Sequence, residues 1–344
     1  MADGRQESRR PTIRDVAAAA GVSTATVSHA LNDKGRVDPA TRERVLGVAR
    51  DLQYRPSRIG RALRTQRTGS LAFLVAPFEG VSTQAQMLGL DVFMRQAFAA
   101  AQTAFAADHA LLLIPRLETP SDAEALGVDG AIICDPFAGD LQVSIFEAAG
   151  LPVVTIERPP DRPDIASVAA DNGASLVELL DHLAGEGAGS IALVSFEAEI
   201  GWDVENRAAY EAWCVRTGRE PRIGSARLDA LFESAYEVAC ELLDGADPPD
   251  AIIAGAQGFP SGVMRAVKER GLRVPEDVMI TSGIDGLEAQ VASPPLTAID
   301  VQPELQGRLA AEMLIARVAG EAADGPVTTP HKLRIRASTQ RDRP

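Results

Sequence analysis

The chain has 344 residues, 46% apolar, 24% charged and only 4% aromatic. That composition suits two or three domains in which helices pack on sheets through small side chains, and no run of 18 uncharged apolar residues offers a membrane-spanning helix. Three scattered cysteines, Cys134, Cys214 and Cys240, exclude a disulfide framework and a CxxC metal site. The opening MADGRQESRRP lacks the apolar stretch of a signal peptide, so a reduced, cytoplasmic setting is expected, with no metal or other cofactor.

The net charge of −14 hides a split. Residues 1–68 carry 14 Lys and Arg against 7 Asp and Glu, a surplus of +7, which leaves −21 on the rest of the chain. A basic head on an acidic body can be held at a polyanion while the body is repelled from it.

The head reads as three short helices. Thr12 and Asp15 fit a capping box before Ile13–Ala20, and Gly21 supplies the left-handed residue that ends that helix. Ser23 caps a second helix over Thr24–Leu31, and Asp38-Pro39 starts a third that runs to about Leu52. Small or branched side chains at Val16, Ala17, Val22, Val27 and Ala30 allow the close corner of a helix-turn-helix. The second helix of that motif enters the major groove by its N-terminal end, which directs Thr24, Ala25 and His29 at base edges. The plainer alternative leaves these three exposed on a small bundle. Past Pro56, the segment Ser57–Arg64 is a short capped helix with Arg58 and Arg61, weakened by Gly60. Such a hinge orders on DNA, where Leu63 can wedge into a minor-groove step.

The run TIRDVAAAAGVSTATVSHALNDKGRVDPATRERVLGVARDLQYRPSRIGRALRTQRTGSLAFLV (residues 12–75) resembles the DNA-binding head and hinge of the lactose-repressor (LacI) family. The resemblance implies base reading by Thr24, Ala25 and His29 and an intercalating Leu63. His29 stands where the family often has arginine, and Gly60 where alanine is usual.

Through the body, short apolar runs alternate with helical stretches. The strands are expected at Leu71–Val75, Ala110–Ile114, Ala131–Cys134, Val153–Ile156, Ile191–Val194, Ile252–Ala254 and Val278–Thr281. Helices are expected at Gln84–Ala106, Ala174–Ala184, Glu205–Thr217, Glu233–Leu243, Gly262–Arg270 and Glu304–Val318. Fully apolar strands alternating with helices imply parallel sheets covered on both faces, and their number implies two doubly wound lobes with a ligand beyond the strand ends. The fold class is thus an all-α helix-turn-helix head plus two α/β lobes. The expected division is a basic arm over 1–10, the helix-turn-helix over 11–56, a hinge over 57–69 and a two-lobed body over 70–344.

The family resemblance continues into the body, which looks like a type I periplasmic-binding-protein fold and so implies an effector-binding, dimer-forming domain. VAADN (Val168–Asn172) and TSGID (Thr281–Asp285) resemble strand-end motifs that make Asp171 and Asp285 ligand contacts. ENRAAYEAW (Glu205–Trp213) resembles the segment that places an arginine on the ligand, which would be Arg207, although aligning Ala209-Tyr210 with the family's Gly-aromatic pair puts Asn206 at that position. Ala256-Gln257 replaces the usual Asn-Asp pair, leaving Gln257 as the candidate, and Phe78 follows the first strand. Phe78, Phe137, Trp202 and Phe259 can give the pocket an apolar lining.

Enzyme readings fail on motifs. The run Gly185–Gly189 precedes a strand, so it forms no dinucleotide turn, and GxxxxGK[ST], HExxH and GxSxG are absent. His29, His109, His182 and His331 do not cluster. A transport receptor would account for the body but not the head. The expectation is therefore a regulator, a repressor by preference, located at the nucleoid. It binds a pseudo-palindromic double-stranded operator as a homodimer and answers to a small effector, a sugar or related metabolite, without membrane contact.

Overall fold

A computed structural model describes residues 11–31, 37–54, 67–75, 91–323 and 325–341. Two compact units divide between Thr68 and Gly69.

The first unit is a three-helix corner: α1 (Ile13–Ala20), α2 (Thr24–Leu31) and α3 (Pro39–Asp51). The Asp15 carboxylate accepts from the Thr12 N–H and hydroxyl, both at 2.7 Å. Gly21, at φ +66°, closes α1 through N–H bonds to Ala17 and Ala18 carbonyls. The turn brings α2 across α1, where Val16, Ala17, Ala20, Val27, Ala30, Val45 and Ala49 form a small buried core. Arg44 Nε donates to the Ala20 carbonyl at 3.1 Å and ties α3 to the end of α1.

The second unit holds two six-stranded sheets. The first lobe contains β1 (Ser70–Val75), α4 (Asp91–Ala106), β2 (Ala110–Leu113), α5 (Pro120–Ala125), β3 (Ala131–Cys134), α6 (Leu141–Ala148), β4 (Val153–Ile156) and β5 (Ser167–Ala170). The chain then passes into the second lobe: α7 (Asn172–Gly185), β6 (Ile191–Phe196), α8 (Gly201–Thr217), β7 (Ile223–Ala226), α9 (Leu231–Asp244), β8 (Ala251–Ala254), α10 (Phe259–Glu269), β9 (Met279–Ser282), α11 (Leu287–Val291) and β10 (Thr297–Asp300). Helix α12 (Pro303–Ala319) and β11 (Val327–Thr329) return to the first lobe, and β12 (Lys332–Arg334) closes the second. The sheet orders are β11-β5-β4-β3-β1-β2 and β12-β10-β9-β8-β6-β7. All pairings are parallel except β10 with β12.

Each sheet is covered on both faces, as its uninterrupted apolar strands require. In the first lobe α4 and α12 lie on one face, while Phe146, Val143 and Ala123 from α6 and α5 pack on the other. In the second lobe α7 and α8 bury Leu176, Leu180, Tyr210 and Trp213 against the sheet. The strands β5, β7, β10, β11 and β12 and the helices α5, α6 and α11 lie outside the apolar runs and helical stretches expected above. Strand β6 continues two residues past Val194, to Phe196. Helices α8 and α10 start earlier than expected, at Gly201 and Phe259, the latter with Pro260 in its first turn.

Candidate functional site

In the head, the side of α2 that carries Val27 and Ala30 is buried, and Thr24, Ala25 and His29 are exposed. The helix begins on Ser23, whose hydroxyl accepts from the Thr26 N–H at 3.1 Å and pairs with the Thr26 hydroxyl at 2.9 Å. Thr24 and Ala25 therefore stand at the N-terminal end of a capped helix, and His29 is exposed in its last turn. Arg58, Arg61 and Leu63 lie outside the described residues, as does Phe78.

In the second unit a cleft opens between the lobes at the carboxyl ends of β3, β4, β6, β8 and β9. The first lobe supplies Phe93 and Gln96 from α4, Asp135 after β3, Glu157 after β4 and Gln306 from α12. The second lobe supplies Asn172, Phe196, Trp202, Asn206 and Gln257, with bare backbone at Gly255 and Gly283. A side chain on Gly283 would sit 2.1 Å from the Gly255 carbonyl, so these strand ends must stay unsubstituted to lie side by side.

Two carboxylates mark the first-lobe wall. Asp135 and Glu157 each take a left-handed backbone, φ +45° and +69°, immediately after an apolar strand. This conformation is costly for residues other than glycine and clusters at functional positions. Glu157 is buried and accepts from the Ala170 N–H at 3.2 Å, Asn172 Nδ2 at 2.8 Å and Gln306 Nε2 at 2.8 Å. Burial nevertheless pushes its carboxyl up to about 7. Asp135 accepts from Trp202 Nε1 at 3.2 Å. It keeps some surface on the cleft, but it lies so deep that loss of water, with the Glu157 charge nearby, pushes it up to about 8.

A chain of amides extends from Glu157. Because Gln306 Nε2 donates to Glu157, its carbonyl is left to accept from Gln96 Nε2 at 3.0 Å. The Gln96 carbonyl then ends the chain, and this Oε1 is buried without a partner. Asn206 Oδ1 is also buried without a partner. Such atoms cost free energy unless something donates to them.

The sequence candidates distribute unevenly. Asn206 and Gln257 line the cleft. The Gln257 amide bridges the lobes, donating to Asp91 and accepting from the Val92 N–H at 3.5 Å. Arg207 does not line the cleft: its Nε lies 3.3 Å from Asp203, a buried carboxylate that Ser195 also bonds. Asp171 caps α7 by accepting from the Ala174 N–H at 3.2 Å and is exposed. Asp285 turns to Arg336 Nη2 at 2.7 Å, an ion pair with a residue far along the chain. Neither aspartate is in the wall, because each carboxylate is satisfied by its own lobe. Of the aromatic candidates, Trp202 is in the wall. Phe259 is buried behind it against Phe196, with 4.8 Å between ring centroids. Phe137 lies outside the wall beneath Arg116.

The cleft residues that the sequence reading did not single out include Phe93, Gln96, Asp135, Glu157, Asn172, Phe196 and Gln306. Asp135 and Glu157 carried a usable signal, since each is the first charged residue after a buried, largely apolar strand, AIICD and VVTIE. Among the described residues no helix is long and apolar enough to cross a membrane, and no group of three or more His, Cys, Asp and Glu is placed to hold a metal ion.

Comparison with known proteins matches residues 12–57 to the family described as bacterial regulatory proteins, lacI family, and residues 180–339 to a periplasmic binding protein-like domain. The chain is 29% identical over 326 residues to the HTH-type transcriptional regulator CelR of Thermobifida fusca, covering 92% of this chain and 94% of that one. Among solved structures it is similar to a CelR–cellobiose complex, with TM-score 0.71, 26% identity and coverage of 96% and 100%. The lac repressor dimer bound to operator and the anti-inducer ONPF shares the fold, with TM-score 0.74, 24% identity and coverage of 96% and 99%.

Proposed function

Because this chain belongs to the lacI family of DNA-binding transcriptional regulators that respond to effectors, we propose that it is a repressor whose effector seats in the interlobe cleft. The observation that carries this reading is the wall itself. Gln96 and Asn206, each with a buried carbonyl that has no described donor, are among the side chains that line a space bordered by Phe93, Phe196 and Trp202. Aromatic rings and unmet acceptors together suit a compact hydroxylated metabolite, apolar on one face and rich in donors at its edge. Cellobiose in the related CelR complex supports a ligand of sugar type. Asn206 and Gln257 contact this ligand directly. Arg207 positions α8 through Asp203, and Asp171 and Asp285 hold the loops behind the wall. Phe78, after β1, belongs to the same contact set through the family resemblance.

On the DNA side, Thr24, Ala25 and His29 read bases in the major groove, and Arg58, Arg61 and Leu63 form the minor-groove hinge. The protein acts as a homodimer on a pseudo-palindromic operator at the nucleoid, in the cytoplasm. The α4 surface supports self-association: Phe98 and Phe105 are 66% and 77% exposed, next to half-exposed Met94 and the Leu112–Leu113 edge of β2. Large apolar side chains grouped this way mark an interface. Effector binding changes lobe closure and thereby the hinge.

A thermal-shift screen of mono- and disaccharides and related metabolites against the full chain tests the cleft reading. A ligand that stabilises the wild type, and fails to stabilise Gln96→Leu, supports it. Stabilisation that survives Gln96→Leu together with Asn206→Leu places the site elsewhere.

A further inference from the structure

On the reading of the cleft as the effector site, we propose that the effector carries a positively charged amino group, received by the Asp135 carboxylate and the Gln96 carbonyl. The argument begins with what the walls lack. No described residue lining the cleft is Lys, Arg or His.

The arginines next in sequence to lining residues are already engaged. Arg95 pairs with Glu304 at 2.7 Å, Arg158 with Glu205 at 3.0 Å, Arg207 with Asp203 at 3.3 Å and Arg227 with Glu237 at 3.3 Å. Among the described residues, the cleft therefore holds two carboxyl groups with no lining cation to offset them. A ligand phosphate or carboxylate would bring negative charge beside two carboxyl groups in a low-dielectric space, and no described lining residue carries a cation to neutralise it.

The remaining polar groups point the same way. Glu157 is fixed as an acceptor by its three donors, and this orients the amides of Gln306 and Gln96 so that the chain ends in a bare carbonyl. Gln96 is 3% exposed and its Oε1 has no partner. Asp135 has a single described donor, the Trp202 indole, so it retains acceptor capacity. An ammonium group supplies up to three donors and one positive charge, meeting both the vacant acceptors and the uncompensated carboxylates. Phe93, Phe196 and Trp202 border the same space, and aromatic faces attract cations. Burial keeps both carboxyls ready to take up protons when the cleft is empty, so an incoming cation displaces protons from them.

The test uses the full chain and a small-molecule extract of the bacterium that carries the gene. Ion exchange at neutral pH separates the extract into cationic, neutral and anionic pools, and each is read by its shift of the melting temperature. The cationic pool is expected to raise it. Treating that pool with aqueous acetic anhydride, which turns primary amines into neutral amides, is expected to remove the shift. Asp135→Asn is expected to weaken the response at least tenfold in the concentration required, while Asn206→Leu reports separately that the cleft is the site. A shift carried by the neutral or anionic pool, or one that survives acylation, overturns the amino group and leaves the cleft as an effector site. No shift from any pool counts against both readings.

Discussion

The buried carboxyl of Glu157 makes the stability of the two-lobed unit depend on pH with a definite sign. Its folded value, about 7, lies above the roughly 4.5 of an exposed glutamate, because burial disfavours the charge. Below about pH 4.5 both states are protonated and burial of the group has no electrostatic cost. Between the two values the unfolded chain has released its proton and the folded one has not, so stability falls as pH rises, and above about 7 the full cost is present. From pH 5 to pH 8 this amounts to about 2–3 kcal/mol, because a difference of one bound proton between the two states changes stability by about 1.36 kcal/mol for each pH unit it spans.

The perturbation is Glu157→Gln. It removes the titration but sets an amide N–H against Asn172 Nδ2, so it also carries an offset of about 1 kcal/mol that does not vary with pH. The slope therefore tests the claim better than the absolute value. Urea unfolding of ligand-free full-length protein at several pH values, followed by Trp202 and Trp213 fluorescence, gives both. The variant is expected to lose less stability than the wild type over that interval. The gap should exceed the share due to Glu157, because its charge also raises Asp135. Parallel pH curves for the two proteins would refute the reasoning.

His29→Ala is expected to relax preference at one base pair of each half-site and to cost about 1–3 kcal/mol there, as measured on a panel of operator variants. Equal weakening on every variant would make His29 a phosphate contact. Ser23→Ala removes the acceptor for the Thr26 N–H, and about 1 kcal/mol should disappear from the stability of the helical head. An unchanged head transition in calorimetry would show that the cap contributes nothing. At Gly307 an added Cβ would lie 2.1 Å from the Gln96 backbone carbonyl, so Gly307→Ala must force α12 and α4 apart. A loss of about 1–3 kcal/mol in urea unfolding is expected, with weaker effector binding because Gln96 moves with α4. Wild-type stability in that variant would mean that the two helices separate freely.

Much of the fold was legible because its signals are local. Thr12, Asp15, Gly21, Ser23 and Asp38-Pro39 are caps and turns whose chemistry acts within a few residues, and α1 and α2 fall on the expected bounds. The buried strands announce themselves as apolar runs. Strand β7, which is partly exposed and carries Gly224, gives no such run. Strand β12, likewise exposed, depends on antiparallel pairing with β10.

The cleft was less legible because its composition is set by partners distant in sequence. Asp285 looks like Asp135 in the sequence, as a carboxylate after a buried strand, yet Arg336 occupies one and, among the described residues, only the Trp202 indole donates to the other. The amide chain from Glu157 through Gln306 to Gln96 joins residues about 150 and 210 positions apart. Arg207 and Asn206 are neighbours on one helix, and only the helix orientation decides which faces the ligand.

The most direct measurement is anisotropy of the full-length protein on a duplex selected from genomic fragments, with and without the pool that stabilises the cleft, for wild type and Gln96→Leu. The account predicts salt-sensitive retention above random duplex, an affinity changed by that pool in the wild type, and an unchanged ligand-free affinity but no response in Gln96→Leu. Equal retention on selected and random duplex under every condition would contradict it, as would a Gln96→Leu variant that answers the pool as the wild type does.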